Sequence, residues 1–325
     1  MAIEGTAMEA KSGGALRFVR GATGPLIGLV LLCAFLSVAT DTFLSVRNIL
    51  NVMDQITVLG VMAVGMTFVI LIGGIDLSVG SVLALSGMVM GYLGNNVGWP
   101  FGVAILAALA ASAGCGFVSG LMVTRLGMPA FIATLAMMSI ARGIASIITN
   151  GQQIIGFPGW FSDLAIVRHF GFLTVTVGAM IAIAVIAWVI LQFRPAGRAL
   201  YAIGGSAEVA RLAGISVRAT TLWVYVVCAA LAGLAGIILS ARLDSAQPSS
   251  GIGYELDTIA AVVIGGASLS GGVGGIGGTA LGVLIIGVLR NGLNLLGVSP
   301  FVQQVVIGLV IAIAVAADTL RRRGD

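Results

Sequence analysis

The chain has 325 residues, of which 59% are hydrophobic and 9% are charged, and its mean hydropathy is +1.14. Soluble domains carry about 25% charged residues, so this composition excludes a water-soluble globular protein. The net charge of +4 comes from scattered basic residues that form no stripe, which argues against nucleic acid as a partner.

Residues 1–23 form a polar, glycine-rich start with basic residues ahead of the first apolar run. A cleaved signal peptide also begins with positive charge, but Glu4 and Glu9 are unusual there, and no small-x-small cleavage site precedes Thr40. We therefore predict a cytoplasmic N-terminal tail over 1–23 and an uncleaved first helix after it.

Ten apolar runs follow, each bounded by charged residues, glycines or prolines. A bilayer core of about 30 Å takes roughly 20 apolar residues per helix, so about ten helices would use about 200 residues. The predicted spans are 24–43, 55–73, 78–96, 100–124, 129–149, 173–193, 219–241, 256–270, 276–297 and 301–318. The run 256–270 is the shortest, and both a full span and a broken or re-entrant element stay open for it.

The predicted fold class is an all-α integral membrane protein, a polytopic bundle of about ten transmembrane helices with glycine-rich breaks. One transmembrane domain covers residues 24–318, and residues 319–325 form a second cytoplasmic tail. Basic residues orient the bundle, because positively charged loops stay in the cytoplasm. With both termini inside, the inner side holds Lys11, Arg17, Arg20, Arg125, Arg194, Arg198, Arg211, Arg218 and Arg321 to Arg323, and the outer side only Arg47, Arg168 and Arg242.

The chain contains 48 glycines, about twice the usual share of roughly 7%. Helices in lipid associate through close backbone packing at small residues. Gly116-x-x-x-Gly120 and Ala232-x-x-x-Gly236 each place two small residues on one helical face. These motifs predict a bundle in which many helices pack closely.

A nine-residue pattern occurs twice, as IGGIDLSVG over residues 72–80 and as IGGASLSGG over residues 264–272. Both copies follow an apolar run and interrupt a potential span. Paired glycine breaks in a transporter often mark the places where helices unwind around a solute path. Two glycine-rich hairpins at the membrane surface are the alternative, and both interpretations stay open.

No catalytic constellation occurs in the sequence, and we predict neither an enzyme nor a metal or cofactor site. His169 is the only histidine and lies in a predicted loop, which excludes a histidine-based triad or zinc site in the membrane. A P-loop needs Gly-Lys-Ser/Thr, whereas the only lysine, Lys11, follows Ala10. Any use of ATP must therefore come from a partner chain.

Charged side chains inside the spans are rare. Arg142 and Arg290 are the only basic residues inside spans, where a charge costs about 2.5–3.5 kcal/mol, so we expect carbonyls or polar side chains to hold them. Asp76 lies at a helix break, and Glu255 and Asp257 lie at a helix start, where carboxylates are favoured. A proton relay is thus missing, which disfavours a secondary carrier for a small polar solute, the alternative function.

Polar side chains that suit a neutral, hydroxyl-rich solute cluster near the C-terminus. Arg290, Asn291 and Asn294 lie within about one turn, and Gln303 and Gln304 begin the next span. Amide side chains offer both donors and acceptors for hydroxyl groups. Hydrogen bonds between helices are the alternative role for these residues.

Residues 194–218 form the longest predicted cytoplasmic stretch between spans. A short helix is expected over residues 207–212, with Gly214 as its stop. Such a helix would seat in a groove of a partner protein, whereas a solvated connecting loop is the alternative.

At this segment the sequence resembles the ribose-type sugar permeases of bacterial ABC importers, in the branched-chain amino acid/ribose transport permease family. The resemblance is carried there by Gly197-Arg198, by YAIGG over 201–205 and by ARLAGI over 210–215. Similar motifs run from about Asn48 to Asp318. They include GGIDLSVGS over 73–81, PAFIATL over 129–135, Arg142-Gly143, ELDTIAAVVIGG over 255–266 and NGLN over 291–294.

The resemblance implies a non-catalytic permease in the lipid of a bacterial inner membrane, with both termini cytoplasmic. Its partners would be cytoplasmic ABC ATPase subunits, a periplasmic solute-binding protein and a second permease copy. The family usually has Asn where this chain has Ser206, and commonly Asn where it has Ser119. A shorter side chain at Ser119 would reshape the path, so a pentose, a hexose, a sugar alcohol or a related solute all stay open.

These considerations define two sets of expected site residues. Coupling to the ATPase is expected at Arg198, Gly204, Gly205, Ser206, Ala207, Glu208, Ala210, Arg211 and Gly214. The translocation path is expected at Gly73, Gly74, Asp76, Ser78, Ser119, Thr134, Arg142, Gly265, Gly266, Asn291 and Asn294.

Overall fold

The structure, a computed structural model, describes the backbone of residues 24–323 and the side chains of residues 24–313 and 316. The predicted N-terminal tail and the last two residues of the predicted C-terminal tail lie outside the described residues. The helices are α1 (Gly24–Ala39), α2 (Val46–Leu71), α3 (Val79–Gly91), α4 (Phe101–Thr124), α5 (Ala130–Ile147), α6 (Gly159–Ile166), α7 (Val175–Phe193), α8 (Pro195–Gly205), α9 (Ala207–Leu212), α10 (Val217–Leu243), α11 (Tyr254–Ile264), α12 (Ile276–Leu295) and α13 (Pro300–Arg323).

The all-α membrane class is confirmed. Each of the ten predicted runs contains one helix, and within the described residues α2, α4, α5, α7, α10 and α12 are long and apolar enough to cross a membrane. The helix α3 has 13 residues and continues directly into a π-helical turn over Tyr92–Asn96. The helix α11 has 11 residues, which at 1.5 Å per residue is shorter than a bilayer core. The count of ten spans therefore stays a prediction.

Two elements show details that the sequence left open or missed. The run 256–270 takes the broken form that the sequence left open, because α11 ends at Ile264 and irregular backbone follows up to Gly275. The cytoplasmic segment holds the expected helix α9 but also α8, which Pro195 begins at its first position. Proline there is pre-set for a helix start and needs no amide partner.

The bundle is built around α2, which is buried along most of its length, whereas only about a quarter of the residues in α4, α5 and α7 are buried. Glycines bring helix backbones into contact, as predicted. A Cβ atom added at Gly116 of α4 would lie 2.3 Å from the Tyr225 carbonyl oxygen of α10. One added at Gly236 would lie 2.2 Å from the Leu83 carbonyl oxygen of α3. These distances leave no room for any larger side chain.

A short antiparallel pairing joins the loops at the other end of the bundle from α8 and α9. Strand β1 (Ile154–Ile155) pairs with β2 (Ser245–Ala246), which directly follows α10. Asp244, at the end of α10, accepts hydrogen bonds from the Phe157 amide and the Ser162 hydroxyl. This pairing fixes α6 over the end of α10.

Candidate coupling and translocation sites

The two glycine breaks touch each other. The Gly272 amide donates a 2.9 Å hydrogen bond to the Leu71 carbonyl oxygen at the end of α2. A Cβ atom added at Gly271 would lie 2.8 Å from the Gly73 nitrogen. Gly73 has a φ of 76°, which favours glycine because it has no Cβ to clash. The repeated pattern in the sequence therefore corresponds to one backbone contact.

The cytoplasmic segment reaches the same contact through α8. A Cβ atom at Gly204 would lie 1.9 Å from the Leu71 carbonyl oxygen and 2.3 Å from the Gly272 nitrogen. The Tyr201 hydroxyl donates a 2.9 Å hydrogen bond to the Gly274 carbonyl oxygen, and burial raises the pKa of this phenol, which keeps it a donor. We call the contact between residues 71–73, 201–204 and 271–274 the glycine junction.

The helix α9 forms the exposed tip of the cytoplasmic segment. The Ser206 hydroxyl caps it by accepting from the Val209 amide at 3.3 Å, and Gly214 ends the turn with a φ of 83°. Ala210 is only 1% exposed, whereas Val209 and Leu212 are 63% and 81% exposed. The expected coupling residues Arg198, Gly205, Ala207, Glu208 and Arg211 are exposed as well.

Ala210 was expected to contact the groove of a partner protein, but the structure buries it inside the permease. It faces the permease itself, because α9 packs on α8 and α10 through this side. The surface that α9 offers to another protein is instead the apolar pair Val209 and Leu212, flanked by Glu208 and Arg211. Small size at residue 210 is a requirement of internal packing.

A buried polar cluster lies just beyond the first break. Asp76 is fully buried, and its Oδ1 accepts from the Ser78 amide at 2.8 Å and the Ser78 hydroxyl at 2.6 Å. The Thr134 hydroxyl donates to the Ile75 carbonyl oxygen at 3.2 Å. Among the described side chains, Asp76 Oδ2, Ser119 Oγ and Tyr225 Oη are buried without a hydrogen-bond partner. An enclosed carboxylate at this depth was not expected from the sequence.

Tyr225 was missed by sequence reasoning. Its side chain is 1% exposed, and its hydroxyl oxygen would lie 2.6 Å from a Cβ atom at Gly74. Gly74 thus leaves room for the tyrosine hydroxyl beside the first break. A tyrosine in the middle of an otherwise apolar span was the available signal, because a buried hydroxyl normally seeks a partner.

Both arginines within predicted spans are held by polar groups, as expected. Arg142 donates to the carbonyl oxygens of Pro248 and Ser250. Arg290 forms an ion pair with Asp257, whose side chain is 5% exposed. The contacts follow from the cost of leaving either charge unpaired in a low-dielectric bundle. Their part in transport stays a prediction.

The two expected asparagines have different surroundings. Asn291 exchanges two amide hydrogen bonds with Asn48, at 2.9 Å and 3.0 Å, and is 2% exposed. It therefore joins α12 to α2, which is the alternative role that the sequence left open. Asn294 is exposed and accepts a 2.8 Å hydrogen bond from Gln303.

Two cavities of about 210 Å³ each lie on either side of the Asp257–Arg290 pair. The first cavity lies between α2, α10, α11 and α12, and its polar lining comprises Gln55, Arg242, Tyr254, Asp257, Arg290 and Asn294. The second cavity lies between α11, α12 and α13, and its polar lining comprises Asp257, Arg290, Gln303 and Gln304. Within the described residues, Arg290 Nε is buried and has no hydrogen-bond partner.

The expected path residues thus fall into three places. Gly73, Gly265 and Gly266 belong to the breaks, and a Cβ atom at Gly265 would lie 2.2 Å from the Gly278 carbonyl oxygen. The buried cluster contains Gly74, Asp76, Ser78 and Thr134. The Ser119 hydroxyl is buried as well, but it has no hydrogen-bond partner among the described atoms. Arg142, Asn291 and Asn294 lie near the opposite end from the glycine junction.

Comparison with known proteins identifies the family to which the chain is similar. The family model described as branched-chain amino acid transport system / permease component matches residues 48–315. The ribose import permease protein of Escherichia coli (strain K12) is 47% identical over 305 residues, which cover 91% of this chain and 93% of that protein. The corresponding protein of Bacillus subtilis (strain 168) is 48% identical over 298 residues, which cover 91% and 92%.

A more distant relative has a different name. The D-allose transport system permease protein of Escherichia coli (strain K12) is 37% identical over 291 residues, which cover 90% of this chain and 89% of that protein. No solved structure matches the chain. Because the family model spans most of the chain and the aligned relatives are permeases along nearly their whole length, the chain belongs to the branched-chain amino acid transport system / permease component family.

Proposed function

We propose that the chain is the permease subunit of an ATP-driven importer for a sugar or a similar small polyhydroxy solute. The observation that carries this proposal is the alignment with ribose import permeases at 47% identity over 91% of the chain. D-allose, xylose and fructose permeases also align over 90–92% of the chain at 35–37% identity. Together they support a class of solute and leave the individual sugar open.

The proposed assembly contains a second permease copy, cytoplasmic ATPase subunits and a periplasmic solute-binding protein, within the lipid of the inner membrane. The permease itself performs no catalysis, and ATP is hydrolysed by the partner. Ten spans and two cytoplasmic termini are part of the proposal. In this arrangement α3 crosses together with the π-helical turn Tyr92–Asn96. The helix α11 completes its crossing with the non-helical backbone of the second break, which is tolerated where protein buries it.

Force from the ATPase would enter at α9 and travel through α8. The exposed pair Val209 and Leu212 offers an apolar contact, and Glu208 and Arg211 offer charges that orient a partner. The helix α8 then ends at the glycine junction, where Gly204 meets both breaks. A displacement of the cytoplasmic segment would therefore act on α2 and on the backbone between α11 and α12 together.

A secondary carrier is the second candidate, and one observation favours it. Asp76 is enclosed in the bundle with one carboxylate oxygen lacking a hydrogen-bond partner within the described residues. A buried carboxylate of this kind is typical of proton relays. The ATP-driven importer is preferred because the relatives aligned over the whole chain are named as import permeases.

The test is reconstitution in proteoliposomes. The permease, its ATPase and its binding protein are combined, and uptake of radiolabelled ribose, allose, xylose, fructose and leucine is measured with ATP or with a non-hydrolysable analogue. We expect the complete assembly to take up at least one sugar with ATP and none with the non-hydrolysable analogue. Uptake by the permease without its partners, driven by a pH gradient, would favour the carrier; uptake of leucine and of no sugar would contradict the proposed solute class.

A further inference from the structure

We infer that the two cavities beside the Asp257–Arg290 pair form a divided subsite for a monosaccharide-sized polyhydroxy solute, with Arg290 as its central hydrogen-bond donor. This inference rests on the proposed function and names the residues that would contact the solute. The relevant observations are the position of the cavities, their size, the unused donor on Arg290 and the mixed donors and acceptors around it.

The cavities lie where an incoming solute would first enter the bundle. Asp257 is three residues into α11, or about 4.5 Å from its first residue, and Arg290 lies in the last turns of α12. Both positions are at the end of the bundle opposite α8 and α9. In the proposed topology this is the outer side, where the binding protein would release its solute.

The size of the cavities suits a small solute. Sites for drug-sized ligands occupy about 300–1,000 Å³. Each of these cavities is about 210 Å³, and they share the two charged residues as a common wall. A single sugar ring is therefore the largest class of solute that either cavity would enclose.

The hydrogen bonding of Arg290 leaves an accessible donor unused. Its Nη2 atom donates to Asp257, whereas Nη1 donates to none of the described atoms and, unlike Nε, is not enclosed by the protein. A guanidinium group has donors only, so a ligand that meets Nη1 must supply an acceptor. A hydroxyl oxygen of a sugar is such an acceptor.

Neighbouring side chains complement this donor. Gln303 uses both protons of its amide nitrogen, towards Asn294 and the Val298 carbonyl oxygen, so its amide oxygen is the group that a solute hydroxyl would meet. Asn294 accepts through its oxygen and offers its amide nitrogen. Hydroxyl groups both donate and accept, and a wall of amide and guanidinium groups matches that pattern.

Charge neutrality in the second cavity favours an uncharged solute. Asp257 and Arg290 compensate each other there, whereas the first cavity also contains Arg242. An amino acid in the second cavity would have to compete with this ion pair in order to bind its own carboxylate and ammonium groups. A sugar makes its hydrogen bonds with the pair intact.

The test compares matched variants in the complete transporter. Arg290→Lys keeps a positive charge beside Asp257 but removes the planar guanidinium group with its Nη1 donor, and Asn294→Leu replaces the amide by an apolar side chain of similar volume. Arg168→Gln is the control, because Arg168 forms the same kind of ion pair with Asp54 but lines neither cavity. Uptake of ribose, 2-deoxyribose and leucine is measured in proteoliposomes, and assembly with the ATPase is checked by size-exclusion chromatography.

We expect Arg290→Lys and Asn294→Leu each to lower ribose uptake about tenfold, the effect of one lost hydrogen bond to a charged or well-placed group. The ratio of ribose to 2-deoxyribose uptake should also fall in at least one of them, because a lost contact to the 2-hydroxyl group affects only ribose. The binding protein is the same in every sample and therefore cannot cause a change in this ratio. Arg168→Gln should transport like the wild type.

Each other outcome is decisive. Wild-type sugar uptake with unchanged uptake in both variants overturns the subsite and leaves the proposed function standing. A uniform loss with an unchanged ribose to 2-deoxyribose ratio in both variants assigns the pair to structure alone and also overturns it. If the wild-type complex imports leucine but none of the sugars, the proposed function fails and the inference fails with it.

Discussion

At the scale of single residues, the glycine junction depends on the absence of side chains. Gly204 has two backbone atoms of other segments within 2.3 Å of the position that a Cβ atom would take. Backbone atoms cannot move aside as a flexible side chain does. The residue is therefore restricted by contact across the bundle and not by its own φ angle.

Gly204→Ala should separate α8 from the breaks. We expect a lower melting temperature, corresponding to about 1–3 kcal/mol of overpacking strain, together with weaker solute-stimulated ATP hydrolysis. The control is Gly114→Ala in α4, where a Cβ atom meets nothing within 4 Å. Alanine in an open helical position stabilises by about 0.5–1 kcal/mol, so the two variants should move the melting temperature in opposite directions. Equal shifts would contradict the contact at Gly204.

Two hydroxyls beside the first break should respond differently to removal. Ser78→Ala removes a 2.6 Å hydrogen bond to the buried Asp76 carboxylate and should cost about 1–3 kcal/mol of stability. Tyr225→Phe removes a hydroxyl that has no partner among the described atoms, so its cost should stay below about 0.5 kcal/mol. Thermal unfolding in detergent measures both. A large loss of stability in Tyr225→Phe would show that its hydroxyl is paired in the protein.

At the scale of helices, the cytoplasmic segment divides into an internal arm and an exposed tip. The arm α8 holds the junction through Tyr201 and Gly204, and the tip α9 exposes Val209 and Leu212. The two helices are separated only by Ser206, which caps α9. A partner that binds α9 would therefore bind one residue away from the end of α8.

Leu212→Asp should reduce co-purification of the ATPase at least tenfold while the permease stays folded, because the side chain is 81% exposed. Ala210→Trp should instead lower the melting temperature of the permease alone, because that residue is 1% exposed. Leu126→Asp, 72% exposed in the turn between α4 and α5, is the comparison variant. Loss of the ATPase in Leu126→Asp but not in Leu212→Asp would move the docking site to that turn.

Local signals predicted the parts of the segment that local interactions form. The helix over residues 207–212 was predictable because Ser206 caps it and Gly214 ends it, both within a few residues. The helix α8 was missed because its packing depends on Leu71 and Gly272, which are distant in sequence. The pairing of Asn48 with Asn291 joins residues 243 positions apart, and no spacing rule reveals it.

At the scale of the whole molecule, charge distribution gave the proposed orientation. The exposed residues Phe170 and Leu212 belong to loops at opposite ends of the bundle and are 89% and 81% exposed. In a variant whose three cysteines are replaced by alanine, a membrane-impermeant maleimide added to intact spheroplasts should label Phe170→Cys and not Leu212→Cys. After permeabilisation both should react. Labelling of both residues before permeabilisation would contradict the topology.

Composition and hydropathy were sufficient to predict the fold class, because a chain with 9% charged residues has too few of them to cover a surface in water. They could not give the path through the molecule. The expected path residues lie in three separate places, since which side chains meet depends on how α2, α10 and α12 cross. The cavities beside Asp257 required those crossings to be known.

The close glycine contacts between helices also affect how the bundle can change shape. Where α4 meets α10 and α11 meets α12, backbone lies against backbone, and a Cβ atom at Gly282 would be 1.7 Å from the Ala261 carbonyl oxygen. Helices that interlock through large side chains must lift ridges out of grooves before they can slide. Smooth glycine surfaces have no such ridges, so these pairs can undergo shear without changes of side-chain rotamer.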